Sequence, residues 1–280
     1  MKKFFTGFAA IAMVLTCVCM SSCKNDRISN LMAELNGELM FDSVVFNDSV
    51  GFGEGVEVTV DLNVAYPISG NKTLTDSINA WICCQLEDTA LVMKDDVKGL
   101  VKNYGALTFG TDSAEVAAIL KENESEEEIN WLHYCLEKRI KVVYEDTCFV
   151  TIRCFTFRDM GGAHGFPYQN TATFYKTGDR IGCQAGWDLT AKIDDETLDR
   201  NLKKELMQYC NAESEDALCE ELFSKEGGMM SKDEFKNHFP LPVTPPYLTK
   251  EGIMVIYQMY EIGPYAFGMP ECVIGQWEGR

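Results

Sequence analysis

The chain has 280 residues, with 43 acidic against 25 basic side chains and a formal charge of −18 at pH 7. So acidic a balance disfavours nucleic acid and anionic lipid surfaces and favours a basic partner. Hydrophobic residues make up 46% of the chain, enough for one large core or two small ones, which excludes the disordered class.

At the N-terminus, Lys2 and Lys3 precede the apolar run "FFTGFAAIAMVLTCVCM", which ends at "SSC". This is the layout of a secretory signal, too short to be a good spanning helix. Ser21 and Ser22 before Cys23 resemble a bacterial lipobox, so Cys23 is expected to carry lipid. An ordinary signal with an incidental cysteine is the alternative. Thioether-linked and N-acyl chains together meet the requirement for stable membrane attachment. The expected organisation is a lipoprotein signal at 1–22, a tether at 23–36, an N-terminal α+β region at 37–129 and a C-terminal domain at 130–280. The expected location is the bacterial cell envelope, on the periplasmic face or the cell surface. Setting aside Cys17, Cys19 and Cys23 leaves an odd number of the 12 cysteines, so at least one thiol stays unpaired. Without a CxxC, most are expected to pack as small buried apolar groups.

Val56, Val58, Val60, Leu62 and Val64 alternate strictly, the pattern of a half-buried strand that follows "GFGEG" turn glycines. Thr73, three before Asp76, suggests a capping-box helix start, followed by Leu74, Ile78, Trp81, Ile82 and Leu86 at helical spacing. "DVKGLVKNYG" and "DSAEVAAILKEN" read as two further helical pieces, and "ENESEEE" as a solvated charge run. "WLHYCLEKRIKVVYED" and "TCFVTIRCFTFRDM" predict neighbouring strands, the second with Cys148, Val150, Ile152 and Cys154 on one face. Residues 126–138 also tolerate a helical reading. A "GGAHG" turn, a strand at "NTATFYK" and a "KTGDR" turn follow. Two helices are expected around Leu198–Met207 and "SEDALCEELF", then an extended "FPLPVTPPYLT" and a strand at "GIMVIYQMYEI" that resumes near "ECVIGQ". Helices cluster rather than alternate with strands, which predicts α+β with a largely antiparallel sheet and helices packed on it.

Chemistry-bearing motifs are sparse. The three histidines, His133, His164 and His238, have no metal-ligand spacing, so no metal and no cofactor is expected. There is no GxSxG elbow and no phosphate-binding GxxxxGK[ST]. Lys176–Gly178 spells the "KTG" of penicillin-binding enzymes, but the SxxK match at Ser21–Lys24 straddles the signal end. Two clusters stand out. One is Gly161, Gly162, Ala163, His164 and Gly165, where glycines allow positive φ and close backbone approach. The other is "YQMYEIGPYAFGMP", with Tyr257, Tyr260, Glu261, Pro264, Tyr265 and Gly268. Its tyrosines offer contact area with a polar tip, suited to a recognition surface, and Glu261 is a candidate carboxylate partner for His164.

"GGAHG", "WDLT" and "FPLPVTPPYLTKEGIMVIYQMYEIGPYAFGMPECVI" together resemble a family of bacterial extracytoplasmic domains. That family is known as the outer domain of the lysozyme-sensing anti-sigma-V factor and beside the catalytic domain of a peptidoglycan deacetylase. The likeness spans roughly residues 130–275 and is most specific from Phe239 to Gly268. It implies an α+β fold with no catalytic apparatus of its own and a protein ligand such as the basic lysozyme, or a cell-wall component. The expectation is therefore a lipid-anchored, non-enzymatic envelope protein whose two clusters form a binding surface. One alternative is a cell-wall hydrolase or deacetylase-like enzyme with His164 and Glu261 as acid/base pair. Another is a purely structural envelope lipoprotein.

Overall fold

The alternating run from Val56 to Val64 forms a strand whose five apolar side chains are all buried. The computed structural model describes residues 37–53, 55–86, 96–122, 132–223 and 239–277. The signal, the lipobox cysteine, the tether and the charge run beyond Glu122 lie outside them.

Five strands, β1 (Met40–Gly53), β2 (Val56–Ser69), β3 (His133–Glu145), β4 (Phe149–Met160) and β5 (Phe166–Tyr175), form one sheet in chain order. Neighbours are antiparallel except β2 and β3, which run parallel with Val60 opposite Leu136. Residue 130 thus falls between two strands of one sheet, since β1 and β2 precede it and β3 to β5 follow. The 126–138 ambiguity resolves to strand from His133 onward.

Helices α1 (Lys72–Gln85) and α2 (Val97–Glu122) cover one face of this sheet. Leu74, Ile78, Trp81 and Ile82 recur at helical spacing and pack in one core cluster with Leu62, Val64, Ile140, Ile152 and Phe174. The cap of α1 differs from expectation. Asn71 Oδ1, not Thr73, accepts the first-turn amides, from Thr73 N and Leu74 N. The two expected helical pieces are one continuous α2. Glycine weakens a helix without breaking it, and Gly105 serves close packing: a Cβ there would lie 2.4 Å from the Phe46 ring of β1.

The other core is built around a second sheet of β6 (Tyr247–Thr249), β7 (Gly252–Ile256) and β8 (Glu271–Gly275), in that order and antiparallel. Helices α3 (Asp195–Cys210) and α4 (Glu215–Phe223) bring Leu198, Leu202, Leu206 and Leu218 into one cluster with Val255, Tyr257, Cys272 and Ile274. The architecture is therefore α+β, with strand pairing antiparallel everywhere but at β2–β3. Among the described residues no helix is long and apolar enough to cross a membrane.

All nine cysteines after Cys23 are free thiols, and four, Cys83, Cys154, Cys219 and Cys272, are buried. Cys84 and Cys183 are exposed, so fewer are fully buried than their small apolar character suggested. Cys148 precedes β4 and packs beside the second core, whereas Cys154 belongs to the first.

The two sheets meet through a polar junction. The Arg153 guanidinium of β4 donates to both carboxylate oxygens of Glu271 on β8, at 3.2 and 2.8 Å, and to Tyr247 Oη on β6 at 3.0 Å. Tyr247 donates to Glu271 at 2.8 Å, and Gln169 Nε2 of β5 reaches the same carboxylate at 3.2 Å. Burial, with the Glu271 charge beside it, pushes the Tyr247 hydroxyl far above the usual phenol range. A planar guanidinium gripping a carboxylate with both arms fixes orientation as well as distance. A second tie runs through Asp146, whose carboxylate accepts from Cys148 N, Phe149 N, Tyr144 Oη and Trp277 Nε1. Burial raises this carboxyl, but those four hydrogen bonds outweigh it and hold it below the ordinary value.

Arg153 is 16% exposed and Glu271 31%, so removing one partner strands the other in a largely dry junction. Arg153→Ala is expected to cost about 3 kcal/mol in urea denaturation, whereas Lys72→Ala, at a surface pair with an 81% exposed lysine, costs less than about 0.5 kcal/mol. For Asp146, a folded value below the unfolded one means stability that is present above the unfolded pKa and lost as pH falls through the folded one. Acid titration followed by denaturation should show wild type losing more stability than Asp146→Asn below about pH 4.

Candidate functional site

The β4–β5 hairpin turns where the sequence placed its glycines. Gly161 and Gly162 have φ of 78° and 118°, and Asp159 accepts the Gly161 amide at 3.0 Å. Gly165 is buried, and a Cβ there would lie 2.3 Å from the Phe157 ring. Its smallness lets the chain re-enter the sheet against an aromatic side chain. Ala163 and His164 stand out in solvent at the tip.

The segment after β7 docks on this hairpin through Gln258. Its side-chain amide accepts from Gln169 N at 3.0 Å and donates to Gln169 O at 2.8 Å, so it bonds the outer edge of β5 as a neighbouring strand would. Thr244 Oγ1 holds the same amide nitrogen at 2.8 Å. Glu261 clamps the turn, with one carboxylate oxygen 2.6 Å from Val243 N and the other 2.6 Å from Gln258 N.

Tyr260 sits between these anchors with φ of 66°. A bulky non-glycine residue in the left-handed region is strained, by about 1–2 kcal/mol, and such strain persists where surrounding contacts fix it. Its hydroxyl is 3.0 Å from His164 Nε2, and its ring lies nearly parallel to Phe166, at 15° and 6.4 Å between centroids. Tyr265 stacks on His164 at 3.7 Å and 19° and donates to Gly165 O at 3.0 Å. Tyr260, Phe166 and Tyr168 are 46%, 44% and 41% exposed, and Met160 is likewise exposed at the end of β4. The result is an aromatic corner assembled from both sheets.

His164 Nδ1 lies 3.2 Å from the Gly165 carbonyl, which can only accept. In the neutral ring Nδ1 therefore carries the proton and Nε2 accepts from Tyr260. Both nitrogens are occupied, and among the described residues no carboxylate contacts His164. The expected His164–Glu261 pair is not formed, because Glu261 is committed to two backbone amides. Tyr257 is also misplaced by the sequence reading. It is fully buried in the second core, and its hydroxyl donates to Pro240 O at 2.7 Å, so no ligand reaches it. Burial raises its hydroxyl far above the usual range.

The remaining motif residues frame the corner. Pro264 is exposed and precedes a single-turn 3-10 helix, Tyr265–Phe267, that ends at Gly268 with φ of 76°. There the Tyr209 hydroxyl donates to Phe267 O. Sequence reasoning missed Gln258, Phe166, Tyr168 and Met160. Phe166 and Tyr168, two apart in a strand, share a face, and that aromatic spacing was the available signal. Among the described residues no cluster of three or more His, Cys, Asp or Glu could hold a metal ion.

The chain is thus an α+β protein with a composite aromatic corner where two sheets join. Residues 188–276 match the model of a family described as "Protein of unknown function (DUF3298)". The matched stretch includes Tyr260, Glu261, Pro264, Tyr265 and Gly268 but not the hairpin residues 161–165. Among solved structures, a member of the DUF3298 family from Bacteroides fragilis NCTC 9343 is similar, with 22% identity over 85% of this chain and 90% of that one and a TM-score of 0.60. A DUF3298 family protein from Pseudomonas aeruginosa PAO1 has 14% identity over 86% and 92% of the two chains and a TM-score of 0.50. At these identities the likeness is one of fold. Comparison with the curated proteins gives no match.

The strain at Tyr260 has a measurable sign. Tyr260→Gly keeps the left-handed turn without its cost, whereas Tyr260→Ala keeps the cost and loses the ring. Thermal and urea denaturation should find Tyr260→Gly more stable than Tyr260→Ala by about 1 kcal/mol.

Proposed function

We propose that this is a lipid-anchored protein of the bacterial cell envelope, tethered through Cys23, whose folded body binds a ligand without catalysis at the aromatic corner. The observation that carries the reading is Tyr260. A strained, exposed tyrosine is held by His164 on one side and by the Gln258 and Glu261 clamps on the other, which pre-organises a contact surface. Rigid aromatic anchors with polar tips are what recognition surfaces use. The anchoring part rests on the lipobox-like "SSC".

The ligand proposed first is a basic protein such as a lysozyme. The resemblance to the anti-sigma-V outer domain supports it, and so does a formal charge of −18, which complements a basic surface. A peptidoglycan fragment is the second ligand of the same surface, supported by the resemblance to the domain beside the deacetylase. The non-catalytic reading is supported by Glu261, whose carboxylate accepts from the Val243 and Gln258 amides and not from His164.

The test is calorimetric titration of the folded chain with a basic lysozyme and with soluble peptidoglycan fragments. Saturable binding to one of them is expected, weakened at least tenfold, or about 1.4 kcal/mol, in both Tyr260→Gly and Phe166→Ala. Absence of saturable binding to either would sink the binding reading. Unchanged affinity in both variants would move the site elsewhere. Labelling of the chain by a palmitate analogue, lost in Cys23→Ala, tests the anchor separately.

A further inference from the structure

At the far end of β4 and β5 from the aromatic corner, a cavity of about 580 Å3 opens between the two sheets. Its size falls in the range of small-molecule sites, roughly 300–1,000 Å3. Three aromatic rings form its wall. Phe149 packs 4.8 Å from Tyr175 at 48° and 5.1 Å from Trp277 in a T-shaped contact at 88°. Leu189, Ile193 and Ile253 add aliphatic surface from the Gly186–Thr190 3-10 helix, the segment that follows it and β7.

The wall is fixed before any ligand arrives. Trp277 Nε1 donates to Asp146 at 3.3 Å. Tyr175 is covered by the Arg180 guanidinium, 4.4 Å from the ring centroid, which also donates to its hydroxyl at 3.0 Å. Apolar side chains predominate in the lining, which suits an apolar body with a few polar groups to orient it.

The charges at the mouth are unequal. Asp188 lines the cavity but is bound by Arg180, so that pair is neutral overall. Lys192 lines it too, is exposed, and has no hydrogen-bond or ion-pair partner among the described residues. An unpaired ammonium beside an aromatic-walled cavity in a protein of charge −18 is a local exception to the general field.

We propose that this cavity is a binding site for a small aryl anion, with a flat ring system against Phe149, Tyr175 and Trp277 and a carboxylate or sulfonate at Lys192. Offset and edge-on contacts suit a planar ring system against this wall, and the anion supplies the partner that Lys192 lacks. The site is independent of the aromatic corner and of any ligand bound there.

The probe is 1-anilinonaphthalene-8-sulfonate, followed by its fluorescence with the full folded chain, and its uncharged counterpart N-phenyl-1-naphthylamine. Wild type should bind the sulfonate at a single saturable site, at least tenfold more tightly than the uncharged probe. Lys192→Glu, at an exposed position, should abolish that preference while leaving the uncharged probe bound. Ala191→Trp, also exposed and at the mouth, should weaken both probes at least tenfold. Tyr260→Gly should change neither. Sulfonate binding that survives both Lys192→Glu and Ala191→Trp would overturn the proposal, as would binding that disappears in Tyr260→Gly.

Discussion

Arg153 is the point on which the arrangement of this molecule turns. Apolar surfaces hold two sheets together without specifying how they are rotated, because the hydrophobic effect has no direction. A guanidinium that must meet both oxygens of Glu271 and the hydroxyl of Tyr247 leaves little freedom of angle or register. Gln169 shares the same carboxylate, and its backbone also receives Gln258. The junction that orients the sheets therefore also sets where the chain after β7 runs along the edge of β5.

The aromatic corner inherits that orientation. Its histidine and phenylalanine come from the β4–β5 hairpin, and its two tyrosines come from the segment joining β7 to β8. The stretch matching the DUF3298 family supplies only the tyrosine half. An aromatic corner of this kind exists only once both sheets are docked. Left-handed backbone at Tyr260 is tolerable for the same reason, since Gln258 and Glu261 on either side are each held by hydrogen bonds to other segments. The opposite end of the junction leaves an aromatic-walled space that the same docking creates, with Trp277 brought to Asp146.

The strands were legible wherever one face is buried and the other wet. Val56 to Val64 alternate because helices cover one side of β2 only, and β3 alternates likewise; β4 and β5 instead carry runs buried on both faces, where the second sheet packs. Tyr257 shows where that rule stops: it lies two residues beyond Val255 in the same core cluster, and both are fully buried. Both faces of β7 are buried, so alternation offers no wet side for comparison, and the tyrosine-rich run reads as surface. The unbroken α2 was hidden by Gly105 and Gly110, since composition cannot distinguish a glycine that ends a helix from one that admits a neighbouring ring. The partner of His164 was beyond reach for a different reason. Which hydroxyl or carboxylate arrives beside a side chain depends on inter-sheet geometry, and Glu261 lies one residue from the tyrosine that does so.

The parallel pairing of β2 with β3 bears on how this chain acquires its shape. Every other neighbour in the five-stranded sheet follows its partner after a short turn, so β1–β2 and β3–β4–β5 can each form from local contacts. Joining the two requires closing a loop that contains both α1 and α2, and distant pairings of that sort are the slow ones, because the entropy of closure comes before any contact rewards it. The order of assembly that follows has two strand units first, their union under the helices next, and the polar lock at Arg153 last. Until that lock closes, the outer edge of β5 at Gln169 lacks its Gln258 partner and stays open.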